Sequence, residues 1–255
     1  MEKGSLAGLV AVLIGVFVGL IMKGADPVAL FTNVAALLIV LVGSTGAVMI
    51  SATFEDTMAA LKSTAKVFKP SGTPDPKATV ERMVEFAGEA RSQGILALEQ
   101  AAKDEQDPFL RKALLLASDG VDARALERQL RTEMAAMKQR HKVAAAWWTA
   151  AGVFCPSYGI LGAVVGLIAV LGNLSDPSAL GHGISAAFVA TFWGVFLANG
   201  IYLPFANKLT RLSQIEMTVR ELQLDGIIAI MGGITPRTLN EQLEGYLPPK
   251  MREAA

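Results

Sequence analysis

The chain has little cysteine and little histidine, and neither is placed to form a chemical site. Cys155 is the only cysteine, which excludes an internal disulfide and a cysteine-cluster metal site. The two histidines, His141 and His182, have no companion ligand at a metal-binding spacing. No nucleophile, base and orienting group recur together. We therefore expect neither an enzyme nor a bound metal or organic cofactor.

Charge is missing from four long segments. Residues 5–22, 27–54, 143–175 and 177–207 contain no Lys, Arg, Asp or Glu. A helix needs roughly 20 apolar residues to cross a bilayer, and a composition of 52% hydrophobic residues with mean hydropathy +0.43 is too apolar for an ordinary soluble domain. The first run exceeds the apolar core of a secretory signal, so we interpret it as a retained helix. The sequence predicts four transmembrane helices in a lipid bilayer.

Positive charge lies close to one side of these spans, although 23 basic residues balance 23 acidic residues overall. That balance gives no support for a nucleic-acid partner. The side that carries only Lys23 is predicted to be external, since basic residues near span ends mark the cytoplasmic side. Both termini and the large loop should then be cytoplasmic. The basic residues on that side are Lys62, Lys66, Lys69, Lys138, Arg140, Lys142, Lys208 and Arg211.

The polar parts of the chain show helical spacing of apolar residues and no strand-period run. Proline and glycine cluster at 70–76 as a helix breaker, and Asp107 with Pro108 predicts a helix start. The predicted fold is an all-α polytopic membrane protein with four transmembrane helices, a large helical cytoplasmic loop and a helical cytoplasmic tail. We expect segments at 1–54 (first two spans), 55–146 (loop), 147–207 (last two spans) and 208–255 (tail).

Several small or polar residues interrupt the last two spans. Pro156 and Pro204 remove a backbone donor and favour kinks, which serve gating or only packing. The Thr191 hydroxyl either faces a pore or bonds back to its own helix. The adjacent Trp147 and Trp148 fit an interfacial belt or packing against a neighbouring helix. Small residues four apart predict close helix packing, at Gly162 with Gly166 and at Gly15 with Gly19.

An ion route needs an ionisable or coordinating group at membrane depth. The four charge-free segments provide no carboxylate. Either a partner protein contributes that group or the chain conducts nothing. A membrane scaffold without conduction therefore stays open as an interpretation of the residues alone.

Four parts of the chain resemble the flagellar stator A subunits, the MotA/PomA family, within the MotA/TolQ/ExbB superfamily. The likeness covers about residues 4–250 and keeps the order of spans, loop and tail. The matching segments are ARSQGILALE at 90–99 in the loop, PSYGILG at 156–162 in the third span, AFVATFWG at 187–194 and PFANKL at 204–209 in the fourth, and DGIIAI at 225–230, GITPR at 233–237 and LPP at 247–249 in the tail.

The resemblance implies a multi-pass protein of the bacterial inner membrane, with five copies around two copies of a one-span, MotB/PomB-like subunit. That partner carries the ion-binding aspartate and a peptidoglycan-binding domain, and the rotor protein is FliG. Rotor contact is implied for Arg91 and Glu99, which on one continuous helix would lie about 80° apart. The ion path or its gating is implied for Pro156, Gly159, Ala163, Thr191 and Pro204.

The coupling ion depends on the residue after Gly162. Sodium-driven members of the family commonly have threonine there, whereas this chain has Ala163. A dehydrated cation needs several oxygen ligands, and alanine supplies none. We expect protons, with sodium as the alternative.

A second interpretation within the superfamily is an ExbB/TolQ-type protein that couples a proton gradient to envelope transport. Those proteins usually have three spans and a different start, while this chain has two spans before its large loop.

Overall fold

The computed structural model describes residues 3–69, 72–172 and 177–252, which are helical apart from turns and short linkers. The chain divides into two compact units. The membrane unit comprises 1–70 and 141–211, and the helical unit comprises 71–140 and 212–255. Four helices are long and apolar enough to span a membrane: Lys3–Met22, Val34–Ser51, Ala123–Leu171 and Leu180–Met231. The predicted fold class is confirmed, and the four-segment division by role stays a prediction.

The α-helices run in sequence order with two π-helical turns among them. The π turns are Leu38–Val42 and Ala198–Tyr202. The α-helices are α1 (Lys3–Met22), α2 (Ala29–Thr32), α3 (Val34–Leu37), α4 (Gly43–Ser51), α5 (Phe54–Phe68), α6 (Pro76–Gln93), α7 (Ala97–Asp104), α8 (Pro108–Ser118), α9 (Ala123–Leu171), α10 (Pro177–Leu197), α11 (Leu203–Met231) and α12 (Pro236–Leu243).

The second charge-free segment is not one uninterrupted helix. Asn33 leaves helical geometry at φ −86°, ψ 77°, and its side chain accepts a bond from the Ala36 amide, starting α3. At the other end, Thr53 and Asp56 form a reciprocal capping box that starts α5 as a new helix. Side-chain capping thus sets both boundaries of the span, because polar residues satisfy the free amides of each helix start.

Aromatic residues fill the interior of the membrane unit. The indole of Trp193 donates to the Leu30 carbonyl at 2.8 Å and packs edge-on against Phe31. Trp147 donates to the Thr57 hydroxyl at 3.2 Å, and Trp148 donates to the Ala60 carbonyl at 3.1 Å. Both of these tryptophans are 6% exposed. The structure therefore supports packing against α5 over an interfacial belt for this pair.

The helical unit has its own apolar core, which includes Met83, Phe86, Leu114, Leu126, Leu130, Leu222, Leu224, Ile227, Leu239 and Leu243. One buried polar cluster lies beside it. Asp107 caps α8 as the sequence predicted, ion-pairs with Arg220, and accepts a bond from Gln223 at 2.7 Å. The Arg220 guanidinium also lies over the Phe109 ring, 5.1 Å from its centroid. This cluster joins the start of α8 to the middle of α11.

Removing Asp107 should destabilise the helical unit strongly. Asp107→Ala removes the closer of the two carboxylates that pair with buried Arg220 and leaves Glu216 at 3.5 Å. Breaking a buried pair costs about 3–5 kcal/mol, and the remaining Glu216 contact places the expected loss at the lower end of that range. We expect faster cleavage of the unit by protease in membranes, with Asp107→Asn intermediate. Glu81→Ala is the matched control, because Glu81 forms an exposed pair with Lys77 worth about 0–1 kcal/mol. Equal protease resistance of Asp107→Ala and the control would contradict the assignment.

Candidate functional site

The last two membrane helices meet at a pair of glycines. A Cβ atom placed on Gly194 of α10 would lie 2.8 Å from the Cα of Gly159 on α9 and 3.0 Å from the Cys155 carbonyl oxygen. A Cβ on Gly159 would lie 3.0 Å from both the Ala190 carbonyl oxygen and the Gly194 Cα. All of these neighbours are backbone atoms, which cannot rotate away. The two helices therefore cross with no room for a side chain at the contact.

Small residues extend this contact along both helices. A Cβ on Gly162 would lie 2.7 Å from the Ala190 methyl, and one on Gly166 would lie 3.2 Å from the Ala187 amide nitrogen. These contacts confirm the close packing predicted for Gly162 and Gly166. At Gly15 and Gly19 of α1, a Cβ would meet no described atom of the chain within 4 Å, so the packing predicted for this pair is not made within the chain and stays a prediction.

Thr191 lies beside the glycine crossing. A Cβ on Gly159 would be 3.4 Å from the Thr191 Cα. The Thr191 hydroxyl donates to the Ala187 carbonyl oxygen at 3.0 Å, so its proton is used within its own helix. Because a hydroxyl oxygen also has two lone pairs, the half-buried side chain keeps the capacity to accept a bond from another group. The structure thus shows the return bond and leaves Thr191 an acceptor.

The other residues implied for the ion path are not all at the crossing. Pro156 and Ala163 are half-buried on α9, about one helical turn to either side of Gly159. Exposed Pro204 lies farther away: its neighbour Leu203 approaches Gly152, which is about 10 Å along α9 from Gly159. The structure therefore groups Pro156, Gly159, Ala163 and Thr191, and places Pro204 at a different level of the membrane unit.

Arg91 and Glu99 do not share one helix, so the expected 80° relationship is wrong. Gly94 takes φ 84°, ψ 165° and ends α6, a backbone conformation almost restricted to glycine. Arg91 therefore lies in the last turn of α6, and Glu99 lies in the first turn of α7. Both side chains are exposed. Glu99 pairs with Lys103 at 3.3 Å, whereas Arg91 makes no ion pair with any residue that the structure describes.

Arg91 borders a cleft of about 470 Å³ in the helical unit that the sequence did not predict. Gly120 and Gly233, with φ of 73° and 75°, form the turns at two of its sides. The carboxylate of Asp122 accepts bonds from the Arg124 and Ala125 amides, so it caps α9. Most of the remaining lining is apolar, with Ala87, Ala90, Ile95, Val121, Ile230, Met231 and Ile234.

Known proteins are similar to this chain in sequence as well as in architecture. The model of the MotA/TolQ/ExbB proton channel family matches residues 101–222. Motility protein A of Bacillus subtilis (strain 168) is 38% identical over 256 residues, covering 99% of this chain and 93% of that protein. The chain belongs to the MotA/TolQ/ExbB proton channel family. The resemblance of its loop, span and tail motifs is thereby confirmed.

Two solved structures extend the family match to three dimensions. The flagellar MotAB stator complex from Bacillus subtilis superposes with a TM-score of 0.91 at 37% identity, covering 98% of each chain. The structure of C. jejuni MotAB gives a TM-score of 0.93 at 30% identity, covering 98% of this chain and 97% of that one. This member of the proton channel family is thus similar over its whole length to motility proteins.

Adding one methyl group at the glycine crossing should weaken the membrane unit. Gly194→Ala places a Cβ 2.8 Å from the Gly159 backbone, and overpacking of this kind costs about 1–3 kcal/mol. We expect a lower melting temperature in detergent. Gly46→Ala on α4 is the control, since a Cβ there has no atom within 4 Å. Unchanged melting of both variants would show that α9 and α10 do not depend on this contact.

Proposed function

We propose that this chain is a flagellar stator subunit that conducts ions across the inner membrane together with a one-span B-type partner and converts the flow into torque on the rotor. The observation that carries the proposal is the full-length similarity to Motility protein A and to MotAB stator structures. The ExbB/TolQ-type alternative has less support, because the likeness includes both spans before the large loop and the tail.

The partner supplies the membrane-embedded carboxylate that the four charge-free segments lack. The four charge-free segments hold no carboxylate, and an ion path needs an ionisable group at membrane depth. The similar Bacillus subtilis structure is that of a MotAB stator complex, which supports a MotB-like partner here. We place its aspartate near Thr191 and Gly159, where the small-residue crossing leaves an accepting oxygen beside a closely packed wall.

Further copies of this chain surround the partner. The third span exposes a row of apolar side chains, Val153, Ile160, Leu161, Val164, Val165 and Ile168, each at least 46% exposed in the single chain. Such a row suits contact with lipid or with another membrane helix. The homopentamer around a partner dimer and the cytoplasmic position of both termini rest on the family resemblance and on the distribution of basic residues.

Reversing the two rotor-facing charges should impair swimming. In the double variant Arg91→Glu with Glu99→Lys, we expect swimming speed to fall while membrane insertion and partner binding persist, because both side chains are exposed in the helical unit. Exposed pairs contribute only about 0–1 kcal/mol each, so each single reversal should have a mild effect. Spreading in soft agar and the speed of tracked single cells measure the loss of swimming.

The control for that experiment is the reversal of Lys77 and Glu81, another exposed pair on α6. Its swimming should equal that of the unmodified strain. Normal motility of the Arg91 and Glu99 double reversal would remove the rotor-contact proposal, and equal impairment of both double variants would point to general damage of the helical unit.

The coupling ion is tested by removing each gradient separately. We propose protons, because Ala163 provides no side-chain oxygen on α9 and Thr191 alone would offer a sodium ion too few ligands. A proton needs only a titrating carboxylate and a hydrogen-bonded route, whereas sodium needs several oxygens in place of its hydration shell. Swimming should therefore continue in sodium-free medium and stop when a protonophore collapses the pH gradient in the presence of sodium.

Ala163→Thr is an informative companion variant. It introduces the hydroxyl that the resemblance assigns to sodium-driven members, and the half-buried position on α9 accommodates the added methyl and hydroxyl groups more readily than a buried site would. Movement of the unmodified strain that stops without sodium and survives the protonophore would overturn the proton assignment.

A further inference from the structure

A crevice in the membrane unit lies away from the glycine crossing and from Thr191, and Pro204 is part of its lining. It has a volume of about 360 Å³ and is bounded by the start of α1, the end of α5 and the segment around Pro204. That volume is within the range of roughly 300–1,000 Å³ typical of small-molecule sites. The lining comprises Gly4, Ser5, Gly8, Leu9, Val12, Val67, Phe68, Gly200, Pro204, Phe205 and Lys208.

Polar groups lie at one level of the crevice and apolar groups at another. Lys208 is the first charged residue after the charge-free segment that ends at 207, and Ser5 is the first residue of the segment 5–22. Both therefore mark the same edge of the membrane. Deeper along the spans the lining is apolar, with Gly8, Leu9 and Val12 following α1. The crevice is thus amphipathic along the membrane normal.

The apolar part of the crevice is open beside α1. A Cβ on Gly8 would meet no atom within 4 Å, so the space in front of this residue is unfilled. At the far side, the Phe68 and Phe205 rings pack edge to face with centroids 5.5 Å apart and close the crevice with aromatic surface. Farther from the edge, Val12 lies close to Gly200, where a Cβ would approach its methyl group at 3.3 Å.

We propose that this crevice binds a phospholipid with an anionic headgroup from the cytoplasmic leaflet. The phosphate lies at Lys208 and Ser5, and one acyl chain follows Gly8, Leu9 and Phe205 into the bilayer. A lysine at the membrane edge attracts an anionic headgroup by about 1 kcal/mol, and basic pockets between transmembrane helices on the cytoplasmic side are recognised lipid sites. Charge complementarity at one end and apolar surface at the other match a lipid better than a free anion.

A lipid in this crevice contacts the irregular segment of the fourth span. Pro204 lines the crevice, directly after the π-helical turn Ala198–Tyr202. An acyl chain against Gly200 and Pro204 contacts the irregular part of this helix, where the Leu203 amide bonds to the Ala198 carbonyl in the π-helical pattern. The site rests on the proposed membrane orientation, and it does not require that the chain turns a rotor.

Native mass spectrometry of the full chain with its B-type partner tests the site. The delipidated complex is titrated with phosphatidylglycerol, with phosphatidylcholine and with inorganic phosphate. We expect saturable binding of one phosphatidylglycerol per copy of this chain, about fivefold tighter than phosphatidylcholine because of the single lysine. Inorganic phosphate should not displace it, since phosphate has no chain to occupy the apolar part.

Two variants test the headgroup contact and the acyl-chain contact separately. Lys208→Gln should remove the preference for phosphatidylglycerol and leave phosphatidylcholine binding unchanged. Gly8→Leu should remove saturable binding of both lipids by filling the open space. The matched controls are Lys62→Gln on α5 and Gly15→Leu on α1, where a Cβ is equally unobstructed and the residue does not line the crevice. Both controls should bind lipid as the unmodified chain does.

The proposal is overturned if Gly8→Leu and Gly15→Leu retain lipid equally, or if Lys208→Gln keeps the preference for the anionic lipid. It is also overturned if Gly8→Leu disperses the assembly while Gly15→Leu does not, because a neighbouring copy of the chain would then be the occupant. Swimming is not the readout, so a failed lipid result leaves the stator proposal intact, and a failed stator result leaves the lipid site intact.

Discussion

The direct contact of two helix backbones at Gly159 and Gly194 is the constraint on which the membrane unit depends. Lipid tails are as apolar as leucine side chains, so membrane helices associate through close packing and hydrogen bonds rather than through exclusion of water. Where both partners lack a side chain, the backbones approach until the Cα of Gly159 lies only 2.8 Å from the position that a Gly194 Cβ would take. That approach fixes Thr191 beside α9 and determines which oxygens line the space next to it.

Each of the last two spans contains a backbone irregularity. Pro156 lies inside the continuous helix α9 and deprives the Gly152 carbonyl of its usual donor. Pro204 follows a π-helical turn instead, and α10 and α11 continue on either side of that turn. A π turn accommodates a local change of register, and such turns often occur at functional sites. The fourth span therefore has its adjustable segment at a different level of the membrane from the glycine crossing.

The sequence predicted what depends on long runs or on local chemistry. The four spans followed from long runs without charge. The start of α8 followed from Asp107 before Pro108. Each of these signals lies within one continuous stretch of the sequence. The break at Gly94 was not predicted, since glycine inside a helical pattern is often tolerated and its φ of 84° is a property of the folded chain. The bonds from Trp147 and Trp148 to α5 span 90 and 88 residues, so no local pattern contains them.

The candidate ion path likewise combines residues of this chain with a group that only an assembled complex would supply. At the glycine crossing the chain contributes small and apolar residues together with the hydroxyl of Thr191, whose proton is already donated to the Ala187 carbonyl. Under the proposed function, a partner's carboxylate against this wall loses hydration, which disfavours its charged form relative to the protonated acid. An accepting oxygen nearby can receive a bond from that protonated acid. Under the proposed function, the absence of charge from the four charge-free segments matters, because a fixed positive charge in the wall would hold the partner's carboxylate ionised and oppose the uptake of a proton.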